Sequence, residues 1–197
     1  MNALSAISPA RLAPLQDFVA DFADLVGEAP GEAETLARGR RLLATLIRQD
    51  DWLPDAYAAP DPLRYRQYLL HRDTKARFSV VSFVWGPGQA TPIHDHRTWG
   101  LIGILRGAEL VEAFARDADG ALRSSSPATI IQAGTVDAVS PRIGDIHRVA
   151  NAFDDRISIS IHVYGADIGT VRRATYDGNG QSRPFVSGYA DLPALIA

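Results

Sequence analysis

Histidines with the spacing of metal ligands lie in the second half of the 197-residue chain. His94 and His96 are separated by one residue in the segment Thr91–His96, which we predict to be a strand. Side chains alternate along a strand, so both imidazoles lie on one face and Asp95 points to the other. Two imidazoles on one face can bind one metal ion, although surface strands also contain such a pair by chance.

Glycines and a third histidine make the pattern more specific. Gly88 lies six residues before the histidine pair and Gly107 eleven residues after it, so the stretch has the form G-x5-HxH-x3-G-x6-G. About fifty residues farther on, the segment Pro141–Asn151 contains His147 after a Pro/Gly turn. In this order the two segments resemble the two motifs of the cupin superfamily. The resemblance implies a cupin β-barrel, a double-stranded β-helix, that binds a metal through all three histidines.

The ligand set that this resemblance implies, His94, His96 and His147, departs from the superfamily at one position. Gly100 stands where a cupin usually has a Glu ligand. Three neutral imidazoles leave a divalent metal with its full charge and an open face. Such a site suits non-haem Fe(II) oxygen chemistry, although the usual triad of that kind contains a carboxylate. Without the carboxylate, the metal favours anionic ligands, thiolate above all.

The predicted strand Arg156–Tyr164 alternates apolar and polar side chains. Its polar face carries Ser158, Ser160, His162 and Tyr164, and its apolar face carries Ile157, Ile159, Ile161 and Val163. By itself this pattern predicts a half-buried strand with the polar face in water. The last three polar side chains can instead form a hydrogen-bonded ladder. Next to a metal, such a ladder would be a relay behind the ligands.

Three segments together carry a closer resemblance: HDHRTWG, GDIHRVAN and SISIHVYG. They resemble the thiol dioxygenases, the cysteine dioxygenase family, over roughly 65–176. The resemblance implies Fe(2+) as the cofactor, held by the three histidines. It also implies that Ser160, His162 and Tyr164 are catalytic groups behind the iron.

Substrate binding is also implied by this resemblance. Gln67 stands where the cysteine-specific branch of the family has an Arg for the substrate carboxylate. The chain is therefore similar to the bacterial Gln-type branch, which is associated with oxidation of 3-mercaptopropionate. Arg173 becomes the candidate for binding the carboxylate, with the adjacent Arg172 as an alternative, and Gln67 is a second substrate-binding candidate.

Helices and strands must position these residues. Apolar residues at spacings of three and four, interrupted at Ala29–Gly31, predict helices in the N-terminal part, about 1–52. Val, Ile, Phe and Tyr segments between turn residues then predict a β-sandwich or barrel. The region after Gly165 has no clear pattern, and we predict a single domain over 1–197. The predicted strands are Tyr65–His71, Phe78–Trp85, Thr91–His96, Leu101–Leu105, Glu109–Ala115, Thr129–Gln132, Val136–Val139, Ile146–Val149 and Arg156–Tyr164.

Composition limits the possible partners and compartments. The net charge is -3, with 20 Lys and Arg against 23 Asp and Glu, so we expect no nucleic-acid partner. The absence of cysteine excludes disulfides, thiolate metal sites and a cysteine nucleophile. No apolar run has the roughly 20 residues of a membrane span, and no secretory leader is visible. We expect a cytoplasmic protein; the oligomeric state does not follow from the sequence.

The predicted function is Fe(II)-dependent addition of both atoms of O2 to a small thiol carboxylate, giving a sulfinate. We expect 3-mercaptopropionate as substrate, with cysteine or cysteamine as poorer ones. One alternative is another metal-dependent cupin enzyme, against which the three histidines without a carboxylate and the SxHxY strand argue. The other is a non-catalytic cupin sensor, against which the lack of a visible read-out domain argues.

Overall fold

The computed structural model describes residues 8–197. The first seven residues, which the predicted helical part and the predicted domain include, lie outside the described residues.

Within residues 8–197, two α-helices precede the strands, as the sequence predicts. The first, α1, spans Pro9–Gly27, and its proline start has the fixed backbone angle that suits a first helical turn. The second, α2, spans Glu32–Leu46, within the helical part predicted for about 1–52. A short 3-10 helix at Asp55–Tyr57 leads into the strands. The apolar residues at spacings of three and four form the buried sides of the helices. They include Leu15, Phe18, Phe22 and Leu25 in α1 and Leu36, Leu43 and Leu46 in α2.

The described strands form two antiparallel sheets. One has the order β1-β2-β10-β4-β8, and the other the order β12-β11-β3-β9-β5-β6, with β7 also paired with β5. The strands are β1 Arg66–Arg72, β2 Ser79–Trp85, β3 Ile93–His94, β4 Gly100–Arg106, β5 Ala108–Arg116, β6 Leu122–Ser124, β7 Thr129–Gln132, β8 Val136–Val139, β9 Ile146–Asn151, β10 Ser158–Tyr164, β11 Arg173–Tyr176 and β12 Ser182–Phe185.

The strand prediction fails in two places. The predicted strand Thr91–His96 is only the two residues of β3. The short strands β6, β11 and β12 were not predicted, because their sequences lack a run of β-forming residues and β12 even contains Pro184. They form because partners distant in sequence supply the hydrogen bonds: β11 pairs with both β12 and β3.

The first sheet is buried on both faces, and each face has a different partner. Its outer apolar side chains join those of the helices in one core. Gly103 of β4 permits this close packing, because a Cβ there would lie 2.9 Å from Cγ of Leu43 in α2. Its inner side chains meet the second sheet, where Phe83 and Trp85 pack with Val149. The two curled sheets thus enclose an interior, and the predicted mainly β double-stranded β-helix of the cupin type, with helices outside, is confirmed.

Among the residues that the structure describes, no helix is both long and apolar enough to cross a membrane.

Candidate metal centre

The structure brings the three predicted ligand histidines together in the interior. His94 ends β3 and is directly paired with His147 of β9. His96 follows two residues later, and one ring nitrogen from each of the three histidines lies within 4.8 Å of the others. All three side chains are buried. This spacing allows one ion to contact all three imidazoles.

The reason why His94 and His96 share a face differs from the one that the sequence suggested. His96 lies beyond the end of β3, so strand alternation does not place it. A turn does so, with Arg97 in the left-handed backbone region at φ 58°. The carboxylate of Asp145 fixes this turn by accepting hydrogen bonds from the backbone N–H of His96 at 3.1 Å and of Arg97 at 3.0 Å.

Hydrogen bonds to Nδ1 orient two of the rings. Nδ1 of His94 lies 3.1 Å from the carbonyl oxygen of Pro92, and Nδ1 of His96 lies 3.0 Å from Oδ1 of Asp145. Because both partners are acceptors, Nδ1 carries the proton in each ring and Nε2 keeps its lone pair for a metal. Asp145 was not predicted as a site residue, although its position two residues before His147 in the second motif pointed to it.

The protonation states also suit metal binding. Burial, with a smaller contribution from His96, lowers the pKa of His94 to about 3. Burial and the other two histidines hold the pKa of His147 well below its ordinary value. Burial raises the pKa of Asp145, but its hydrogen bonds with His96 and Arg97 outweigh this effect and the net pKa is lowered. Neutral imidazoles backed by a carboxylate are good ligands for a divalent transition metal.

Asp95, between the two histidines, points away from the site and binds β11. It accepts hydrogen bonds from the backbone N–H of Ala174 at 2.7 Å and from the hydroxyl of Tyr176 at 2.8 Å. The sequence predicted the direction of this side chain but no role for it. Its contacts dock β11 against the histidine segment and so bring Arg173, the first residue of β11, to the site.

The polar face of β10 lines the interior instead of facing water. Oγ of Ser160 lies 2.8 Å from Nε2 of His162, whose Nδ1 lies 2.8 Å from the hydroxyl of Tyr164. The predicted ladder is therefore a continuous hydrogen-bonded chain. The His162 ring stacks on Phe83 at a centroid distance of 4.0 Å, and the Tyr164 ring stacks on His96 at 5.5 Å.

Burial determines the protonation states of His162 and Tyr164 in this hydrogen-bonded chain. The pKa of His162 is held well below its ordinary value, first by burial and then by the neighbouring histidines. Burial raises the pKa of Tyr164. Both side chains are therefore neutral near pH 7.

Gly100 makes room for Tyr164. It pairs with Tyr164 across β4 and β10, and a Cβ at Gly100 would lie 2.9 Å from both Cδ1 and Cε1 of the tyrosine ring. A glutamate here would occupy the space of the ring, so the position that usually supplies a fourth cupin ligand instead accommodates the tyrosine.

A cavity of about 180 Å³ opens in front of the three histidines. Gln67 and Arg173 both line it, whereas Arg172 is exposed to solvent. Further lining residues include Tyr65, Phe83, Trp85, Val149, His162, Tyr164 and Phe185. The structure therefore brings every predicted site residue except Ser160 to the cavity wall, and Ser160 lies one hydrogen bond behind His162.

Arg173 is held in place but not neutralised. Its guanidinium lies 4.7 Å from the ring centroid of Phe185, and Nη2 donates to Oγ of Ser187 at 2.8 Å. The side chain is only 3% exposed. Within residues 8–197, its Nε and the Oε1 of Gln67 have no hydrogen-bond partner, and no carboxylate forms an ion pair with the guanidinium. The Nε–H of Arg173 is thus available to donate to a bound anion, whereas Oε1 of Gln67 can only accept a hydrogen bond from a donor group.

The residues at this centre fit a divalent metal. Three imidazoles converge, two have Nδ1 occupied by an acceptor, and a cavity lies in front of them. His71 does not belong to the centre: it packs against Phe78 at 5.5 Å, outside the group of three.

The chain belongs to the family described as cysteine dioxygenase type I, whose sequence model matches residues 3–177. This membership agrees with the resemblance carried by the three histidine segments.

Solved structures with a similar fold are distant in sequence. An uncharacterized conserved protein with a double-stranded β-helix domain from Klebsiella pneumoniae subsp. pneumoniae MGH 78578 is 17% identical, with a TM-score of 0.46 over 66% of this chain and 91% of that chain. A cupin superfamily protein from Desulfitobacterium hafniense DCB-2 is 14% identical, with a TM-score of 0.42 over 64% of this chain and 88% of that chain. An oxalate oxidase bound to the substrate analogue glycolate is 18% identical, with a TM-score of 0.43 over 54% and 53%. These similarities are too distant to indicate a shared activity.

Proposed function

We propose that this protein is a non-haem Fe(II)-dependent thiol dioxygenase that converts a small thiol carboxylate, 3-mercaptopropionate above all, to its sulfinate. Both oxygen atoms of the sulfinate come from O2, and the thiol sulfur supplies the electrons, so no external reductant is required. The observation that carries the proposal is the convergence of three buried histidines, an arginine without an acidic partner and a buried tyrosine on one small cavity in a member of the cysteine dioxygenase type I family.

Iron would be held by His94, His96 and His147. The chemistry that Fe(II) supplies there is stabilisation of the substrate as a thiolate, well below the free thiol pKa of about 8.5, and activation of O2. Asp145 would keep His96 in the tautomer that presents Nε2 to the ion.

Arg173 would bind the substrate carboxylate. It is the cationic side chain of the cavity wall, and its unpartnered Nε can donate to a carboxylate. The amide NH2 of Gln67, which also lines the cavity, would be a second donor. A guanidinium gives charge-assisted hydrogen bonds that a neutral amide does not. Among the described residues that line the cavity there is no Asp or Glu to receive a substrate ammonium group. This composition favours 3-mercaptopropionate over cysteine.

Tyr164 would supply a hydrogen bond to the reacting atoms. Its ring lies against the His96 ring, and its hydroxyl is held by His162. A neutral phenol placed in this way can donate to an oxygen that gains charge during the reaction. The His162 ring is itself stacked on Phe83, so the group that holds the hydroxyl is packed in place.

The test is metal analysis of protein purified without oxygen, followed by O2 uptake with a panel of thiols. We expect close to one iron per chain, O2 uptake with 3-mercaptopropionate exceeding that with cysteine or cysteamine, and one sulfinate formed per O2 consumed. A strong preference for cysteine would contradict the assigned substrate while leaving the thiol dioxygenase assignment intact.

The same experiment separates the two alternatives. Activity that requires Mn, Ni or Zn and not iron would indicate a different cupin enzyme. Tight thiol binding without O2 consumption would indicate a sensor.

A further inference from the structure

Glu109 is a buried carboxyl with no role in the chemistry described above. It is the second residue of β5 and is only 1% exposed. Its Oε1 has no hydrogen-bond partner within the described part of the chain. It pairs with Asn151 of β9 and Ile131 of β7, and its side chain lies beside Ser160 and Trp85. Burying a carboxyl without a full set of partners is costly, so this position calls for an explanation.

Glu109 lies beside Ser160, which is the inner end of the hydrogen-bonded chain on β10. From the cavity inward, the chain runs from the Tyr164 hydroxyl to His162, at 2.8 Å, and then to Ser160, at 2.8 Å. The indole N–H of Trp85 donates to Ser160 Oγ at 3.4 Å. Trp85 is a donor only, so Glu109 is the neighbour of Ser160 that is able both to accept and to release a proton.

These contacts allow two directions of hydrogen bonding. With Glu109 ionised, Ser160 donates to the carboxylate, His162 donates from Nε2 to Ser160, and Tyr164 donates to Nδ1 of His162. With Glu109 protonated, each of these bonds reverses: the carboxyl donates to Ser160, Ser160 donates to Nε2, and Nδ1–H donates to the Tyr164 oxygen. Only in the second arrangement is the Tyr164 O–H free to donate into the cavity.

We propose that Glu109 is a positioning residue that sets the direction of hydrogen bonding along Ser160, His162 and Tyr164. It thereby determines whether Tyr164 accepts or donates a hydrogen bond in the cavity. The proton balance is closed: a proton that enters at the Tyr164 oxygen displaces one proton at each link and leaves one proton on Glu109. No bond other than O–H and N–H bonds changes, and no electron is transferred.

The surroundings of Glu109 allow this change near neutral pH. Burial raises the pKa of Glu109 to about 7, against the opposing effects of Ser160 and Trp85. The titratable groups facing the interior around it are His162 and Tyr164 of β10 and His147 of β9. On β2 the interior residues Val81, Phe83 and Trp85 do not titrate, and on β5 Glu112 faces outward to Arg148.

For the reaction, this inference rests on the proposed function. When a thiol binds as a thiolate, its proton must leave the sulfur, and Glu109 would receive one proton through the chain. Tyr164 would then be left with its O–H directed at the cavity, where an oxygen acceptor forms. The direction of the hydrogen bonds is nevertheless a property of the protein itself and does not depend on turnover.

The test uses full-length protein freed of metal with a chelator. Nitrogen-15 shifts of the His162 ring, assigned by their loss in His162→Gln, identify which nitrogen carries the proton. The infrared band of a protonated carboxyl, assigned by its loss in Glu109→Gln, follows Glu109. We expect the proton of His162 to move from Nδ1 to Nε2 as Glu109 ionises. For a pKa of about 7, the ionised fraction of Glu109, and with it the fraction of His162 protonated at Nε2, should rise from about 10% at pH 6 to about 90% at pH 8. In Glu109→Gln the tautomer should not change over this range.

Glu112→Gln, on the outer face of the same strand, is the matched control and should keep the wild-type titration. The inference is overturned if Glu109 ionises without a change in the His162 tautomer, if the carboxyl does not titrate between about pH 5 and 9, or if Glu109→Gln titrates as wild type does. If Glu109→Gln fails to fold, the wild-type protein still tests the inference. The midpoint of the Glu109 carboxyl titration and the midpoint of the His162 tautomer change must then coincide. Loss of dioxygenase activity in the oxygen assay would refute the proposed function without affecting this result.

Discussion

Removing the charge of Arg173 should weaken catalysis selectively for thiols that carry a carboxylate. The guanidinium is 3% exposed and is paired with no carboxylate in the described structure, so a bound substrate carboxylate would be its charged partner. Loss of one member of a buried, hydrogen-bonded charge pair costs about 2–5 kcal/mol, or about 30-fold to 5,000-fold in kcat/KM. We expect a loss in this range for 3-mercaptopropionate in Arg173→Ala.

Cysteamine has no carboxylate and provides the internal comparison. Its kcat/KM should change little in Arg173→Ala, and the measurement is initial O2 uptake over a range of concentrations of both thiols. Arg173→Met separates charge from packing, because it keeps an unbranched stem against Phe185 and should lose as much activity towards the carboxylate as Arg173→Ala.

Arg172→Ala is the matched control, since this neighbour is exposed and lies outside the cavity wall. It should leave both thiols unaffected. Equal slowing of the two thiols in Arg173→Ala, with the fold and iron content intact, would refute the assignment of Arg173 to the carboxylate.

Four further predictions concern the ligands and the tyrosine. His147→Ala should abolish both iron content and O2 uptake while the chain still folds; a variant with full iron and activity would remove this ligand from the proposed site. Tyr164→Phe should keep its iron but lose about 10–100-fold in turnover or in sulfinate formed per O2, and unchanged turnover and coupling would make the residue structural. Gly100→Ala should displace the Tyr164 ring, because the added Cβ lies 2.9 Å from it, and cost about 1–3 kcal/mol in unfolding free energy; a wild-type melting curve and rate would contradict this. Metal-free protein should lose stability as the pH falls below 6.5 towards 3, because His94 takes up a proton in the unfolded chain but, with a pKa of about 3, not in the folded chain. At pH 5 the loss of unfolding free energy is about 2 kcal/mol, and it is measured as a fall in Tm from the value at pH 7. A constant Tm would argue against a buried neutral His94.

Local sequence patterns were sufficient to predict those strands and helices whose own apolar side chains are buried. The apolar residues at spacings of three and four predicted α1, and the alternation in 156–164 predicted β10 with the correct division into two faces. The three histidines were also recognisable, because cupin-like motifs place them at fixed distances from glycines in the sequence. In each case the information lies within a few residues of the position concerned.

The tertiary structure decided which of these groups meet. No property of the segment 173–176 alone predicts a strand. The segment becomes β11 because it pairs with β3, about eighty residues earlier, and because Asp95 accepts two further hydrogen bonds from it. That pairing buries Arg173 in the cavity and leaves Arg172 in solvent, a choice that the sequence left open.

The same holds for charge and burial at the site. Alternation alone predicted that Ser160, His162 and Tyr164 face water, but the second sheet covers them and makes their hydrogen bonds to one another obligatory. Likewise, Glu109 is an ordinary acidic residue in the sequence and becomes a buried carboxyl beside Ser160 only through the closure of the two sheets. Burial is a property of what packs against a strand, and hydration, pKa and hydrogen-bond direction all depend on it. The sequence of a strand determines which side chains share a face, whereas only the folded chain determines what that face meets.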